Sequence, residues 1–182
     1  MEMDEDPITE HVRNNPPTCV KDFRLVAAEL PQPPDEHFKT VYQLSCQCGV
    51  NQGNILGYPL RDYNSEYDGP DFITPLSFKC GACSTVSQII DTDMHGYHAE
   101  VGKLEGFEGS SKLRGEGEPV PFTCPSCSGT NFSVIVGFVY WHFDIIEDDP
   151  ELPAQEFFNE FLIYGVCEKC AKVSSVAELG KL

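Results

Sequence analysis

Cys124-Pro-Ser-Cys127 and Cys167-Glu-Lys-Cys170 enclose two apolar, aromatic segments, 131–146 and 157–166, with an acidic loop between them. The first segment, Asn131-Phe-Ser-Val-Ile-Val-Gly-Phe-Val-Tyr-Trp-His-Phe143, is apolar at odd and even positions alike. That pattern predicts a strand buried on both faces, which other parts of the molecule must cover. A close Cys pair at each end of the mouth of a hairpin gathers four thiols. Four thiols are the donor set that tetrahedral zinc takes most often.

The same order recurs upstream. Cys46-Gln-Cys48 leads to Gly57-Tyr58, a polar loop at 62–71, an apolar run Phe72-Ile-Thr-Pro-Leu-Ser-Phe78, and then Cys80-Gly-Ala-Cys83. Downstream, Cys124 and Cys127 lead to Gly137-Phe138, the acidic loop Asp144–Pro153, and Cys167 and Cys170. The text after each second pair also matches: Cys83-Ser-Thr-Val-Ser87 against Cys170-Ala-Lys-Val-Ser174. An internal duplication assigns ligands to sites. Cys46, Cys48, Cys80 and Cys83 belong to one site, and Cys124, Cys127, Cys167 and Cys170 to the other. A cross-braced arrangement, with pairs alternating between sites, is the competing assignment.

Over about 46–90 and 121–178 the chain resembles the zinc-ribbon family, whose modules hold zinc between two Cys-bearing knuckles joined by β-strands. The resemblance implies two structural Zn²⁺ ions per chain. It says little about task, because ribbons serve transcription, translation, enzymes and adaptors alike. One departure is plain. The first knuckle, Cys46-x-Cys48, is one residue shorter than Cys-x-x-Cys, so its backbone must turn differently.

Composition bounds the remainder. The chain has 182 residues, with 14 Pro and 15 Gly, which favour turns over long helices. Eight of its nine cysteines fall in the four pairs, and Cys19 stands alone. The acidic start Met-Glu-Met-Asp-Glu-Asp argues against a secretory signal, and no run of about 18 apolar residues suggests a membrane span. The expectation is a cytoplasmic protein with reduced thiols that bind metal; oxidised pairs and a rubredoxin-like iron site are the alternatives.

The expected fold is mainly β: tandem zinc ribbons, an N-terminal β-hairpin, a Gly-rich connector, and few or short helices. The hairpin would be built from Phe23–Leu30 and Phe38–Cys46. The divisions are a flexible acidic N-terminus at 1–18, hairpin plus ribbon one at 19–92, connector at 93–120 with one strand near 97–104, and ribbon two at 121–182.

The formal net charge of −17, from 12 basic and 29 acidic residues, disfavours a polyanion partner, because nucleic-acid affinity comes largely from Lys and Arg on phosphates. Four thiolates around each Zn²⁺ leave a further −2 per site. The reading is therefore a non-enzymatic zinc protein acting through an acidic surface on a basic partner protein, as adaptor or inhibitor. A nucleic-acid-associated ribbon using Lys103, Lys112 and Arg114 is the alternative. A further one is an enzyme, or a third metal site, at Asp91, Asp93, His95 and His98, where two His three residues apart lie near carboxylates. No phosphate loop or nucleophile-elbow motif occurs.

Overall fold

The computed structural model of the chain describes Asn14 and residues 16–29, 38–94, 113–140 and 158–180. Within them run nine strands: β1 (Arg24–Ala27), β2 (Phe38–Ser45), β3 (Gln52–Pro59), β4 (Phe72–Cys80), β5 (Val86–Ile90), β6 (Val120–Pro121), β7 (Phe132–Tyr140), β8 (Phe158–Cys167) and β9 (Val173–Gly180). Two short 3₁₀ turns, Thr18–Val20 and Leu60–Asp62, are the named helical elements. The fold is mainly β with few and short helices, as the Pro- and Gly-rich, alternating sequence predicts. The predicted N-terminal hairpin is present as the antiparallel pair β1–β2. The acidic residues 1–13, the connector strand near 97–104 and the loop 144–153 lie outside the described residues.

Each Cys unit is an antiparallel meander. The first is β3–β4–β5 and the second is β7–β8–β9. In each, a strand leaves the first knuckle, its partner returns into the second knuckle, and a third strand leaves from there.

The units are also interlocked. Strand β2 leads into the first knuckle of unit one, yet it pairs with β7 of unit two. Strand β6 leads into the first knuckle of unit two, yet it pairs with β3 of unit one. Between these, β3 and β7 pair with each other antiparallel at Gln52↔Ser133 and Gly53↔Phe132. Equivalent strands meeting antiparallel at equivalent residues place an approximate two-fold axis beside the Gly53–Phe132 pair. All nine strands join in one sheet.

Residues 132–139 of β7 are buried throughout, so the prediction of a strand covered on both faces holds along that stretch. One core accounts for one of its faces. Phe132, Val134, Val136 and Phe138 share a cluster with Leu44, Ile55, Phe78 and Ile89 of unit one. The rings run across the boundary: Phe72 to Phe122 at 5.1 Å between centroids, and Phe122 to Phe132 at 5.4 Å. Phe138 stacks on Phe161 at 4.9 Å within unit two. Each fully buried ring contributes about 1.5–3 kcal/mol, against about 1 kcal/mol for a net hydrogen bond. Apolar packing therefore binds the units together more strongly than the short β3–β7 ladder does.

The two units fill the same core position in opposite ways. In unit one Gly53 lies beside Phe78; a Cβ on Gly53 would overlap the Lys79 carbonyl oxygen and sit 2.8 Å from Phe78 Cζ. In unit two Phe132 stands where Gly53 does, facing Cys167 as Gly53 faces Cys80. Its neighbour is Gly165, where a Cβ would lie 2.9 Å from Phe132 Cδ1 and 3.2 Å from Ile55 Cδ1. One ring and one glycine are needed at each site, and the strands that supply them are exchanged.

Candidate metal centres

Three of the four knuckles share one backbone design. Cys124 N–H donates to the Gly129 carbonyl (2.8 Å) and Ser128 N–H to the Cys124 carbonyl (2.9 Å). Cys80 with Thr85 and Ser84, and Cys167 with Lys172 and Ala171, repeat both bonds at 2.8–3.1 Å. The residue after the second Cys takes a left-handed conformation each time: Ser128 (φ 59°), Ser84 (φ 60°) and Ala171 (φ 58°). That conformation costs an L-residue roughly 1–2 kcal/mol, and the N–H it turns inward helps to offset the cost.

The short knuckle solves the same problem with one residue fewer. Cys46 N–H donates to the Val50 carbonyl and Gly49 N–H to the Cys46 carbonyl, both at 2.8 Å. Each bond spans one residue less than in the other knuckles. The left-handed position falls on Gly49 (φ 93°), where no Cβ is strained.

These turns converge the thiols in two groups, Cys46/Cys48/Cys80/Cys83 and Cys124/Cys127/Cys167/Cys170, each with all ligand atoms within 4.8 Å of one another. The grouping is the one the duplication predicts, with each unit holding its own four. The shortest separations are Cys46–Cys83 at 3.5 Å, Cys48–Cys80 at 3.6 Å, Cys124–Cys170 at 3.6 Å and Cys127–Cys167 at 3.5 Å. A disulfide needs about 2.05 Å. A tetrahedron of sulfurs about 2.3 Å from zinc has edges of about 3.8 Å, so the donor set fits such an ion. All nine cysteines are free thiols.

The surroundings prepare some of these thiols to ionise. Hydrogen bonding at the Thr85 side chain, 3.3 Å from Cys83 Sγ, pulls the Cys83 thiol down to about 6. The Ser126 backbone N–H leads the groups that bring Cys124 down to about 7. Partner thiols move the other way: against the lowering Val50 N–H, hydrogen bonding with Cys80 and desolvation take Cys48 up to about 11, and against the Gly129 N–H, burial and Cys170 take Cys127 up to about 12. Metals bind the thiolate, so Cys83 and Cys124 are the thiols best prepared to receive one. Four protein ligands fill a tetrahedral shell and leave no position for water or substrate.

The centres differ in their outer halves. Cys46 and Cys80 are buried at site one while Cys48 and Cys83 are exposed. At site two Cys124 and Cys167 are buried, and Cys127 and Cys170 are half-buried. Lys169, inside the second knuckle of site two, donates from Nζ to the Cys127 carbonyl at 3.3 Å. The corresponding residue of site one is Ala82. Beside Lys169, the Glu168 carboxylate accepts from Gln52 Nε2 (2.7 Å) and Ser133 Oγ (2.6 Å), tying the site-two knuckle to both central strands. Sequence reasoning gave neither residue a role. The contrast of Glu-Lys with Gly-Ala inside otherwise matching knuckles was the available signal.

Cys19 is buried apart from both groups, and burial pushes its thiol up to about 12. Asp91 and Asp93 both meet Arg114, through Nη2 to Asp91 Oδ2 and Nε to Asp93 Oδ2, each at 2.9 Å. His95 and His98 lie outside the described residues. Burial alone would raise the Asp91 carboxyl, but the Arg114 guanidinium and the N–H groups of Asp93 and Met94 outweigh it and hold it below its usual range. A depressed carboxyl contributes stability above its unfolded pKa and loses it as pH falls through the lower folded value. Arg114→Ala is therefore expected to destabilise the protein by about 1–2 kcal/mol at pH 7, discounted because the guanidinium is partly exposed. The deficit should shrink below about pH 4, where Asp91 begins to protonate in the unfolded chain, and vanish once the pH has fallen through its lower folded value. Urea midpoints of variant and parent across pH 3–8 check this; a deficit independent of pH would refute it.

No protein-family model, no curated protein and no solved structure matches the chain. Among the described residues, no helix is long and apolar enough to cross a membrane.

Proposed function

We propose that this chain is a non-enzymatic zinc protein built from a duplicated zinc ribbon, with two structural Cys₄ sites, that acts by contact with a basic partner protein. The carrying observation is the convergence of four thiols at each of two sites, every one on a knuckle. Bound there, zinc would cross-link the two knuckles of each unit; the chain supplies the ligands, the turns that aim them, and the sheet behind them. The net charge of −17 supports an adaptor or inhibitor that meets a cationic surface. Of the three cations that a nucleic-acid reading uses, Arg114 is engaged by Asp91 and Asp93, which leaves it poorly placed to neutralise phosphate.

Metal analysis of protein purified under reducing conditions should return two zinc ions per chain. Eight thiols should become titratable on chelation. One zinc or none, or iron in their place, would remove the two-site zinc reading. Capture of an arginine- and lysine-rich protein at low salt, lost at high salt, is the result expected for the partner. Salt-sensitive retention of RNA or DNA instead would overturn that part.

A further inference from the structure

We propose that site one is a modification site for peroxides and other soft oxidants, while site two is the protected structural centre. This rests on the zinc reading above.

Two differences between the sites carry the inference. Cys48 and Cys83 of site one are exposed, whereas their counterparts Cys127 and Cys170 are half-buried. Reactivity of a thiolate requires access as well as charge. Second, a tetrathiolate zinc centre carries an excess of two negative charges. At site two the Lys169 ammonium sits in the knuckle itself, anchored on the Cys127 carbonyl. The other charge of that knuckle, the Glu168 carboxylate, is turned onto Gln52 Nε2 and Ser133 Oγ of the central strands, which leaves Lys169 as the charge held at Cys127. At site one Gly81 and Ala82 occupy the matching positions and bring no charge. The sulfurs of site one keep more electron density and are the better nucleophiles. The geometry for a disulfide is common to both sites: Cys46 faces Cys83 at 3.5 Å and Cys48 faces Cys80 at 3.6 Å, as Cys127 faces Cys167 at 3.5 Å and Cys124 faces Cys170 at 3.6 Å, so access and charge decide which site reacts first.

The chemistry balances with hydrogen peroxide as oxidant. The exposed Cys83 thiolate attacks one peroxide oxygen, the O–O bond breaks, and hydroxide leaves. Cys83 becomes a sulfenic acid. The Cys46 thiolate then attacks that sulfur and displaces a second hydroxide. Two thiolates, one peroxide and two protons become one disulfide and two waters. Two thiolates remain for the zinc at site one, too few to hold it tightly, and it leaves. The new bond joins the same two knuckles that the metal joined, so the sheet survives the exchange.

The test uses the full chain loaded with two zinc ions, treated with limiting hydrogen peroxide in the presence of a chromogenic zinc indicator. One equivalent of zinc should appear about tenfold faster than the second. Peptide mapping of the first phase should find Cys46–Cys83 or Cys48–Cys80 linked, with Cys124, Cys127, Cys167 and Cys170 still alkylatable. The circular dichroism spectrum should be unchanged at that point. Ala82→Lys should slow the first phase, and Lys169→Ala should speed the second, each by up to about fivefold, the reach of one screened charge. Equal release rates, or oxidation of site two first, would overturn the proposal while leaving a two-zinc protein intact. Failure to bind two zinc ions would instead remove the reading beneath it.

Discussion

Cys167→Ser should unfold both halves of the molecule, although the substitution touches only the second site. A structural Cys₄ zinc site supplies on the order of 10–16 kcal/mol in isolated finger peptides, as much as the whole stability of a typical domain. Losing it from an independent module would melt that module alone. Here the lead-in strand of each unit is hydrogen-bonded to the other, β2 on β7 and β6 on β3. Phe122 and Phe132 of unit two pack in the same core as Ile55, Phe72 and Phe78 of unit one. Unit one cannot keep β2 in place when β7 frays. The expected readout is loss of amide protection in β3, β4 and β5 together with β7 to β9, and a zinc content well below one per chain. Cys19→Ser is the control: it alters a buried thiol outside both groups and should leave two zinc ions bound. A Cys167→Ser protein that keeps one zinc ion and full protection in β3–β5 would show that the units are separable.

That interlocking was not legible in the sequence, and the reason is physical. Periodicity reports which faces of a strand are buried, and Cys spacing reports which turns can chelate. Both are local. They were enough for the mainly β fold and for the grouping of the eight thiols. Pairing between β2 and β7 is a long-range choice among strands of similar apolar character, and nothing at Phe38–Ser45 specifies its partner. The doubly apolar pattern of β7 did say that something must cover it, and the first unit supplies part of that cover. The Arg114 contacts escaped notice for another reason. Asp91 and Asp93 look like metal ligands beside His95 and His98, whereas the cation that meets them comes from the far end of the connector. The shortened Cys46-x-Cys48 knuckle marked a departure, and Gly49, the residue that makes it workable, stands directly after it.

The Gly–Phe exchange between the units leads to the second large effect. Phe132→Gly should cost about 3–5 kcal/mol, by removing a fully buried ring and leaving a cavity between Phe122 and Ile55. Gly165→Phe should cost at least as much alone, because its Cβ would already lie 2.9 Å from Phe132 Cδ1 and the ring has nowhere to go. The double variant Phe132→Gly/Gly165→Phe should be more stable than the sum of the two predicts, with a coupling of about 2 kcal/mol or more. Unit one gives the reason: it places glycine at Gly53 on the outgoing strand and a ring at Phe78 on the returning one, and packs them in the same space. The exchange rebuilds in unit two the arrangement that unit one already uses. Rescue should be incomplete, since the moved ring gives up the contact that Phe132 makes with Phe122 at 5.4 Å. Denaturant midpoints should be compared at one fixed free-zinc concentration, because metal binding to the folded state shifts them by mass action. Additive losses in the double variant would mean that the two-fold relation between the units extends to the backbone and the thiols but not to the packing behind them.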